Sequence, residues 1–366
     1  MDSVSHSLVW VENEPMEVFY SLILIIHYSS RITAEVPTIK LSSGYEIPSI
    51  AFFEWLIEPN DLEDTAIAAS EIGYTHFAMN VILAGEKTIG RALTKIFQGG
   101  VKREDVFITD TTPPFGNRAA DVEKYLKFSL KNIGLDYFDM YVFGEPWSAL
   151  RDPTKDLSHN DFIFNANGTI ALDFDADHIT IWKALENQVK AGLVRSIGLL
   201  NFNERQVLRL INNSEIKPSF VATDAYLYNQ QKSLRKVCAE HNIAVAVWEP
   251  LGCFPAGMEQ NANKNYLSLP NPLNDPVVLE IAKKYGKRAE QILLRHLQQE
   301  GLILVIPGLS KPQRLKTVTD IFDFDLSEEE LKQLDGLDMG ENGRFIDDYH
   351  YPGIYEHPEF PFSTHS

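Results

Sequence analysis

From Val36 onward, short apolar or β-branched runs alternate with longer amphipathic stretches, and this alternation constrains the fold more than any other feature. Strands are predicted at Ser49–Phe53, Thr75–Met79, Asp105–Thr109, Tyr137–Phe143, Val194–Leu199, Phe220–Thr223, Ile243–Trp248 and Leu302–Ile306. Most are apolar without clean alternation, as strands covered on both faces should be. Helices are predicted at Leu62–Ile72, Glu86–Phe97, Ala119–Asn132, His178–Lys190, Glu204–Ile211, Gln231–His241 and Pro276–Gln299, the last broken at Gly286. Asp61 is a candidate N-cap, and Ser327 to Glu330 opens a final helix as a capping box. Eight strand–helix units with short connections predict an α/β fold, a (β/α)8 TIM barrel with long loops on the carboxyl-end face. No glycine-rich strand–helix turn matches a dinucleotide-binding fingerprint of the doubly wound kind.

A chain of 366 residues, 44% of them hydrophobic, suits one barrel with extensions. The expected organisation is an N-terminal extension over 1–35, the barrel over 36–337, and a C-terminal tail over 338–366 folding across the barrel mouth. A net charge of −18 disfavours phosphate-backbone binding, which needs a basic footprint, and no nucleic acid is expected. Cys238 and Cys253 have no CxxC or metal-ligand spacing and read as reduced structural thiols; no metal is expected. Val18 to Ile26 (VFYSLILII) is too short to span a bilayer, and it follows Glu12, Glu14 and Glu17 instead of a basic flank. A membrane role is therefore not expected, and the cytoplasm is the expected location, with a secretory signal within residues 1–30 as the alternative. Asn167-Gly-Thr matches a glycan acceptor triplet, a pattern common by chance.

Two excursions, Trp147–Asp177 after the fourth strand and Gly252–Asn274 after the seventh, emerge on the face where barrel active sites are built. Several blocks then resemble a family. Val36 to Pro48 (VPTIKLSSGYEIP), Val101 to Phe107 (VKREDVF), Leu130 to Asp139 (LKNIGLDYFD) and Ser196 to Asn203 (SIGLLNFN) resemble aldo-keto reductases, in collinear order from about Val36 to Leu337. The opening block and Ile216-Lys-Pro218 look most like the fungal xylose reductase branch.

That resemblance implies a barrel that binds NADP(H), with a tyrosine donating a proton to a carbonyl, a lysine and an aspartate tuning it, and a histidine orienting the substrate. A phenol with a pKa near 10 is a poor acid at neutral pH unless a cation stabilises its phenolate. In this chain the aspartate position holds Ala78 and the tyrosine position Leu83, in His76 to Leu83 (HFAMNVIL). Thr111 stands at the lysine position, in Asp110-Thr-Thr-Pro113, and Gly144 at the histidine position, in Gly144-Glu-Pro146. None of these side chains substitutes chemically, and no tyrosine or lysine occurs between His76 and Gly85. Tyr74 lies before the strand and is not the missing acid.

The cofactor groove departs from the family as well. The first-strand Gly-Phe-Gly-Thr-Trp pattern reads Ala51-Phe-Phe-Glu-Trp55, a glutamine is replaced by Ala222, and a serine near the pyrophosphate by Glu249. A Pro-Lys-Ser phosphate grip becomes Pro307-Gly-Leu309. Asn201, Trp248 and Arg314 remain at cofactor-binding positions, with Lys311 nearby.

Three functions follow as expectations. The first is a pseudoenzyme with NADP(H) binding weakened or absent and no catalytic residue. The second is an NADP(H)-dependent oxidoreductase of a carbonyl or hydroxyl substrate with another proton donor, drawn from Tyr226, Tyr228, Tyr349 and Tyr351. The third is a repurposed barrel in which Asp110, Glu145, Asp224 and Glu249 form a carboxylate cluster for hydrolysis. Whether the partner is a small molecule or a protein is open, and the chain is expected to be a monomer or dimer.

Overall fold

The computed structural model describes residues 36–252, 269–344 and 351–362. The apolar run Val18 to Ile26, Cys253, Tyr349 and most of the second excursion lie outside the described residues.

A short antiparallel hairpin opens the described chain, β1 (Thr38–Lys40) with β2 (Glu46–Pro48). Eight parallel strands follow: β3 (Ile50–Phe53), β4 (His76–Ala78), β5 (Phe107–Thr111), β6 (Phe138–Phe143), β7 (Val194–Leu200), β8 (Phe220–Asp224), β9 (Ala244–Trp248) and β10 (Ile303–Ile306). They pair in chain order and β10 returns to β3, which closes the barrel. The hairpin was not among the predicted strands. Its Ile39, Leu41 and Ile47 pack with Phe107, Phe220 and Ile303, the first residues of their strands, and so fill the amino-terminal end of the barrel.

The intervening helices are α1 (Leu62–Ile72), α2 (Glu86–Gln98), α3 (Ala119–Ile133), α4 (His178–Lys190), α5 (Glu204–Asn213), α6 (Lys232–Glu240), α7 (Pro276–Tyr285), α8 (Ala289–Gln299), α9 (Pro312–Thr319) and α10 (Glu328–Asp335). Gly286 does divide the long stretch into α7 and α8. The Ser327–Glu330 capping box is formed in both directions. Asp61 occupies its N-cap position but makes no side-chain cap, because its backbone is helical there. α9 was missed: Pro312 at its first position is a start signal, but the helix is only eight residues long.

Strand alternation divides the core in two. One set of residues, among them Ala51, Phe107, Met140, Val142 and Phe220, fills the barrel interior. The other, including Ile50, Phe52, Phe77, Ile108, Tyr141 and Phe143, packs against the helices. β5 starts and ends two residues later than predicted, so Asp110 and Thr111 sit within the strand and face opposite ways.

Helix packing depends on one close approach. A Cβ at Gly90 in α2 would stand 2.2 Å from the Ile133 carbonyl oxygen at the end of α3. Gly90→Ala gains about 1 kcal/mol of helix propensity but forces the two helices apart. The expected result is a net loss of ~1–3 kcal/mol in chemical unfolding; a more stable variant would contradict this packing.

Candidate functional site

The carboxyl ends of the strands enclose a cavity of about 210 Å³. Its wall is largely apolar and aromatic, with Phe53, Trp55, Trp147, Trp248 and Tyr351 among the rings. Ala78, Leu83, Thr111 and Gly144 all line it. The four places read from sequence as the family's aspartate, tyrosine, lysine and histidine positions therefore lie around one cavity. Thr111 Oγ1 donates to Asn80 Oδ1 at 3.0 Å, and the Asn80 N–H donates to Glu54 Oε1 at 3.0 Å.

Gly144 is set by the backbone. A Cβ there would lie 2.0 Å from the Thr112 carbonyl oxygen, while the Gly144 N–H donates to Thr112 Oγ1 at 2.9 Å. The loop that follows is pinned from several sides. Asn117 Nδ2 donates to the carbonyls of Glu145 (2.9 Å) and Trp147 (3.1 Å), and His178 Nε2 lies 2.6 Å from the Pro146 carbonyl. These contacts fix Glu145 at the cavity wall. Its Oε1 accepts from Asn201 Nδ2 at 3.1 Å, and Asn201 Oδ1 accepts from Trp248 Nε1 at 3.1 Å. Glu145 Oε2 is shielded from solvent and has no hydrogen-bond partner. Burial pushes the Glu145 carboxyl well above the usual carboxylate range, against the pull of the Asn201 amide and the Trp147 indole N–H.

Of the expected cofactor residues, Asn201 and Trp248 line the cavity, whereas Arg314 does not and is exposed, as is Lys311. Asn201 adopts a left-handed backbone (φ 62°), and its N–H donates to the Ala222 carbonyl at 2.9 Å. Trp248 meets Trp55 edge-on, with ring centroids 6.2 Å apart. Among the described lining residues there is no lysine, arginine or histidine. The described lining thus offers no cation to a diphosphate, and Trp55 stands against the one platform ring. These residues do not fit a dinucleotide.

The carboxylate cluster expected from sequence does not form: of its four members only Glu145 lines the cavity. The reason is alternation, since Thr109 and Thr111 face the cavity and Asp110 points towards the helices. Asp224 is buried against Arg344, with Oδ1 2.5 Å from Nη1. Glu249 is buried outside the cavity lining on a left-handed backbone (φ 60°). No group of three His, Cys, Asp or Glu side chains among the described residues is arranged to hold a metal ion.

The candidate tyrosines also separate. Tyr226 donates to the Gly343 carbonyl at 2.6 Å and Tyr228 to Asp275 at 2.8 Å, and neither lines the cavity. Tyr351 does, its ring tilted against Trp147 and Phe162 with centroids 5.7 and 4.7 Å away. Burial and then the charge of Glu145 push its phenol up to about 12. Further along the tail, Glu359 accepts from Arg209 (2.7 Å) and Gln206 (2.9 Å) and holds the segment on α5. Cys238 is a buried free thiol, pushed up to about 12 by burial.

Behind the cavity lies a buried acidic group that sequence reading missed. Glu54, Asp110 and Glu86 are all buried, and Asp110 Oδ2 and Glu54 Oε2 have no partner. Burial raises all three carboxyls, with the Glu86 charge adding to the effect on Asp110. Burial also lifts Glu249 to about 8 and, against the pull of Arg344, Asp224 to about 6.

Two outcomes follow. Gly144→Ala, which sets a methyl against the Thr112 carbonyl, should cost ~1–3 kcal/mol of stability, and Gly144→His should unfold at lower temperature still; a neutral result in thermal melts would contradict the close approach. The raised acids hold protons in the folded state that the unfolded chain releases near pH 4, so their contribution is complete below that pH and is lost as pH rises through about 8. Melting temperature should fall between pH 6.5 and 9, and Asp110→Asn or Glu249→Gln should each flatten the fall. A melting temperature that rises over that window would refute the assignment.

The chain was compared with known proteins. Residues 51–339 match the model of the Aldo/keto reductase family. An NADP-dependent D-sorbitol-6-phosphate dehydrogenase of Malus domestica is 35% identical over 305 residues, covering 82% of this chain and 94% of that protein. Aldo-keto reductase family 1 member A1 of Homo sapiens is 32% identical over 333 residues, covering 89% and 98%. Among solved structures, the aldose reductase of Schistosoma japonicum superposes with a TM-score of 0.77 at 29% identity, over 90% of this chain and all of that one. An aldo-keto reductase of Bombyx mori in complex with NADP gives 0.76 at 27% identity, over 90% and 99%. By sequence and by fold, the chain belongs to the aldo/keto reductase family.

Proposed function

We propose that this barrel is a non-reducing member of its family, one that keeps a small-molecule cavity without the chemistry of carbonyl reduction. The observation that carries the reading is that Ala78, Leu83, Thr111 and Gly144 line the same cavity. Proton donation to a carbonyl needs an acid within reach and a charge that lowers its pKa. Leucine and alanine hold no transferable proton, threonine brings no charge, and Gly144 has no room for a side chain.

Tyr351 is the one phenol among the described lining residues, and it favours the second reading most. Its surroundings work against it. The nearest ionisable neighbour in the lining is Glu145, which raises the phenol where a lysine would lower it. NADP(H), named for two of the similar proteins, supplies a hydride when bound; here Arg314 and Lys311 stand outside the cavity lining. Loss of charged hydrogen bonds at ~1.5–3 kcal/mol each supports weak or absent binding of that cofactor.

The test is an absorbance assay at 340 nm with NADPH and a panel of aromatic and aliphatic aldehydes. The expected result is no aldehyde-dependent oxidation above the protein-free rate. Saturable turnover with any of them, abolished by Tyr351→Phe, would replace this reading with reduction by a relocated acid.

A further inference from the structure

The polar side chains that line the cavity divide by whether the protein already uses them. Most of the acceptors are engaged. Glu145 Oε1 takes the Asn201 amide, and Asn201 Oδ1 takes the Trp248 indole N–H. Asn80 Oδ1 accepts from Thr111 Oγ1 at 3.0 Å and from the Ile82 N–H at 3.2 Å. Glu145 Oε2 is shielded from solvent, and Thr109, Thr111 and Thr112 are all buried.

Three donors are open. Asn80 Nδ2, Trp55 Nε1 and the Tyr351 hydroxyl have no hydrogen-bond partner among the described residues, and all three residues line the cavity. Each residue is partly exposed, and none of these atoms is shut off from solvent as Glu145 Oε2 is. The Asn80 amide has one orientation, because the Ile82 N–H requires an oxygen opposite it. Trp55 follows β3 and Asn80 follows β4, whereas Tyr351 packs against Trp147, which follows β6. The open donors therefore come from two parts of the rim.

A ligand that accepts hydrogen bonds and donates none complements such a lining. Charge narrows the choice. The described lining has no cationic side chain, ring faces are negative, and a net charge of −18 repels anions, so a carboxylate is disfavoured. Size narrows it again: a cavity of about 210 Å³ suits a single substituted ring, as an apolar cavity of ~150 Å³ takes a benzene.

We propose that the cavity binds a neutral single-ring aromatic with acceptor oxygens at opposite edges and no donor, as in an aryl ether, held by Tyr351 at one edge and by Asn80 and Trp55 at the other. This rests on the non-reducing reading of the same cavity and gives it a ligand class: an ether oxygen takes these hydrogen bonds and offers a hydride nothing to reduce. The competing occupant is a phenol that donates to the buried threonine oxygens.

Isothermal titration calorimetry of the full chain at pH 7.5, without cofactor, separates these. The probes are para-dimethoxybenzene, para-xylene of the same ring shape without oxygens, hydroquinone as the donor-bearing analogue, and benzoate as the anion. The expected result is para-dimethoxybenzene bound most tightly, roughly tenfold over para-xylene, the effect of one to two ordinary net hydrogen bonds. Tyr351→Phe and Trp55→Phe keep an aromatic ring and remove the donor. Each should cut that preference about threefold or more while para-xylene binds as before. Para-xylene binding as tightly as the ether, hydroquinone or benzoate binding more tightly, or a preference unchanged in both variants would overturn the proposal. The wild-type series stands without the variants. None of the probes is an aldehyde or ketone, so failure of the non-reducing reading is scored separately, as aldehyde turnover by absorbance.

Discussion

Closure of eight parallel strands fixes which strand side chains meet in this protein, and the frame of the site follows from it. Once β10 pairs with β3, successive residues of each strand must face either the interior or the helices. Thr109 and Thr111 reach the cavity, so Asp110 between them cannot. The same rule sends Phe52, Phe77 and Tyr141 outward into the layer beneath the helices. A chain with 51 acidic residues thus presents a single carboxyl, Glu145, to the described lining of its cavity. Electrostatics at the mouth is a consequence of register before it is a matter of composition.

Backbone packing shapes the cavity lining as well. Gly144 lies where a neighbouring backbone oxygen occupies the space of a Cβ, so the absent side chain is part of the local packing. Asn201 and Trp248 line the cavity, and their side chains are committed to each other and to Glu145. That array orders one carboxyl in an aromatic enclosure, a different arrangement from a phenol beside a lysine. Behind it, Glu54, Asp110 and Glu86 are buried together, which ties stability to pH through groups that never touch the cavity lumen.

Much of the fold was legible because its signals are local. β-branched runs, the break at Gly286 and the Ser327–Glu330 box each act within a few residues, and α1 and α4 were placed to the residue. Ala78, Leu83, Thr111 and Gly144 all line the cavity, two of them on strands and two on the segments that follow strands. What stayed hidden was non-local or too short to carry a pattern. The hairpin of β1 and β2 spans three residues a side, and α9 barely two turns. The carboxylate grouping failed because a two-residue error in the bounds of β5 hid where Asp110 lies, and because Asp224 has a partner, Arg344, 120 residues away in sequence. Tyr351 reaches the cavity from a tail whose path no periodicity announces.

The central proposal is that this barrel holds NADP(H) weakly or not at all, the cofactor named for the Malus domestica dehydrogenase and present in the Bombyx mori complex. Trp55 and Trp248 stand in the lining, so intrinsic tryptophan fluorescence reports directly on anything that enters. Titration with NADPH, corrected for inner-filter absorption with free tryptophan, should give no saturable quenching into the high micromolar range. Saturable quenching at low micromolar NADPH, with energy transfer to the nicotinamide, would contradict the account.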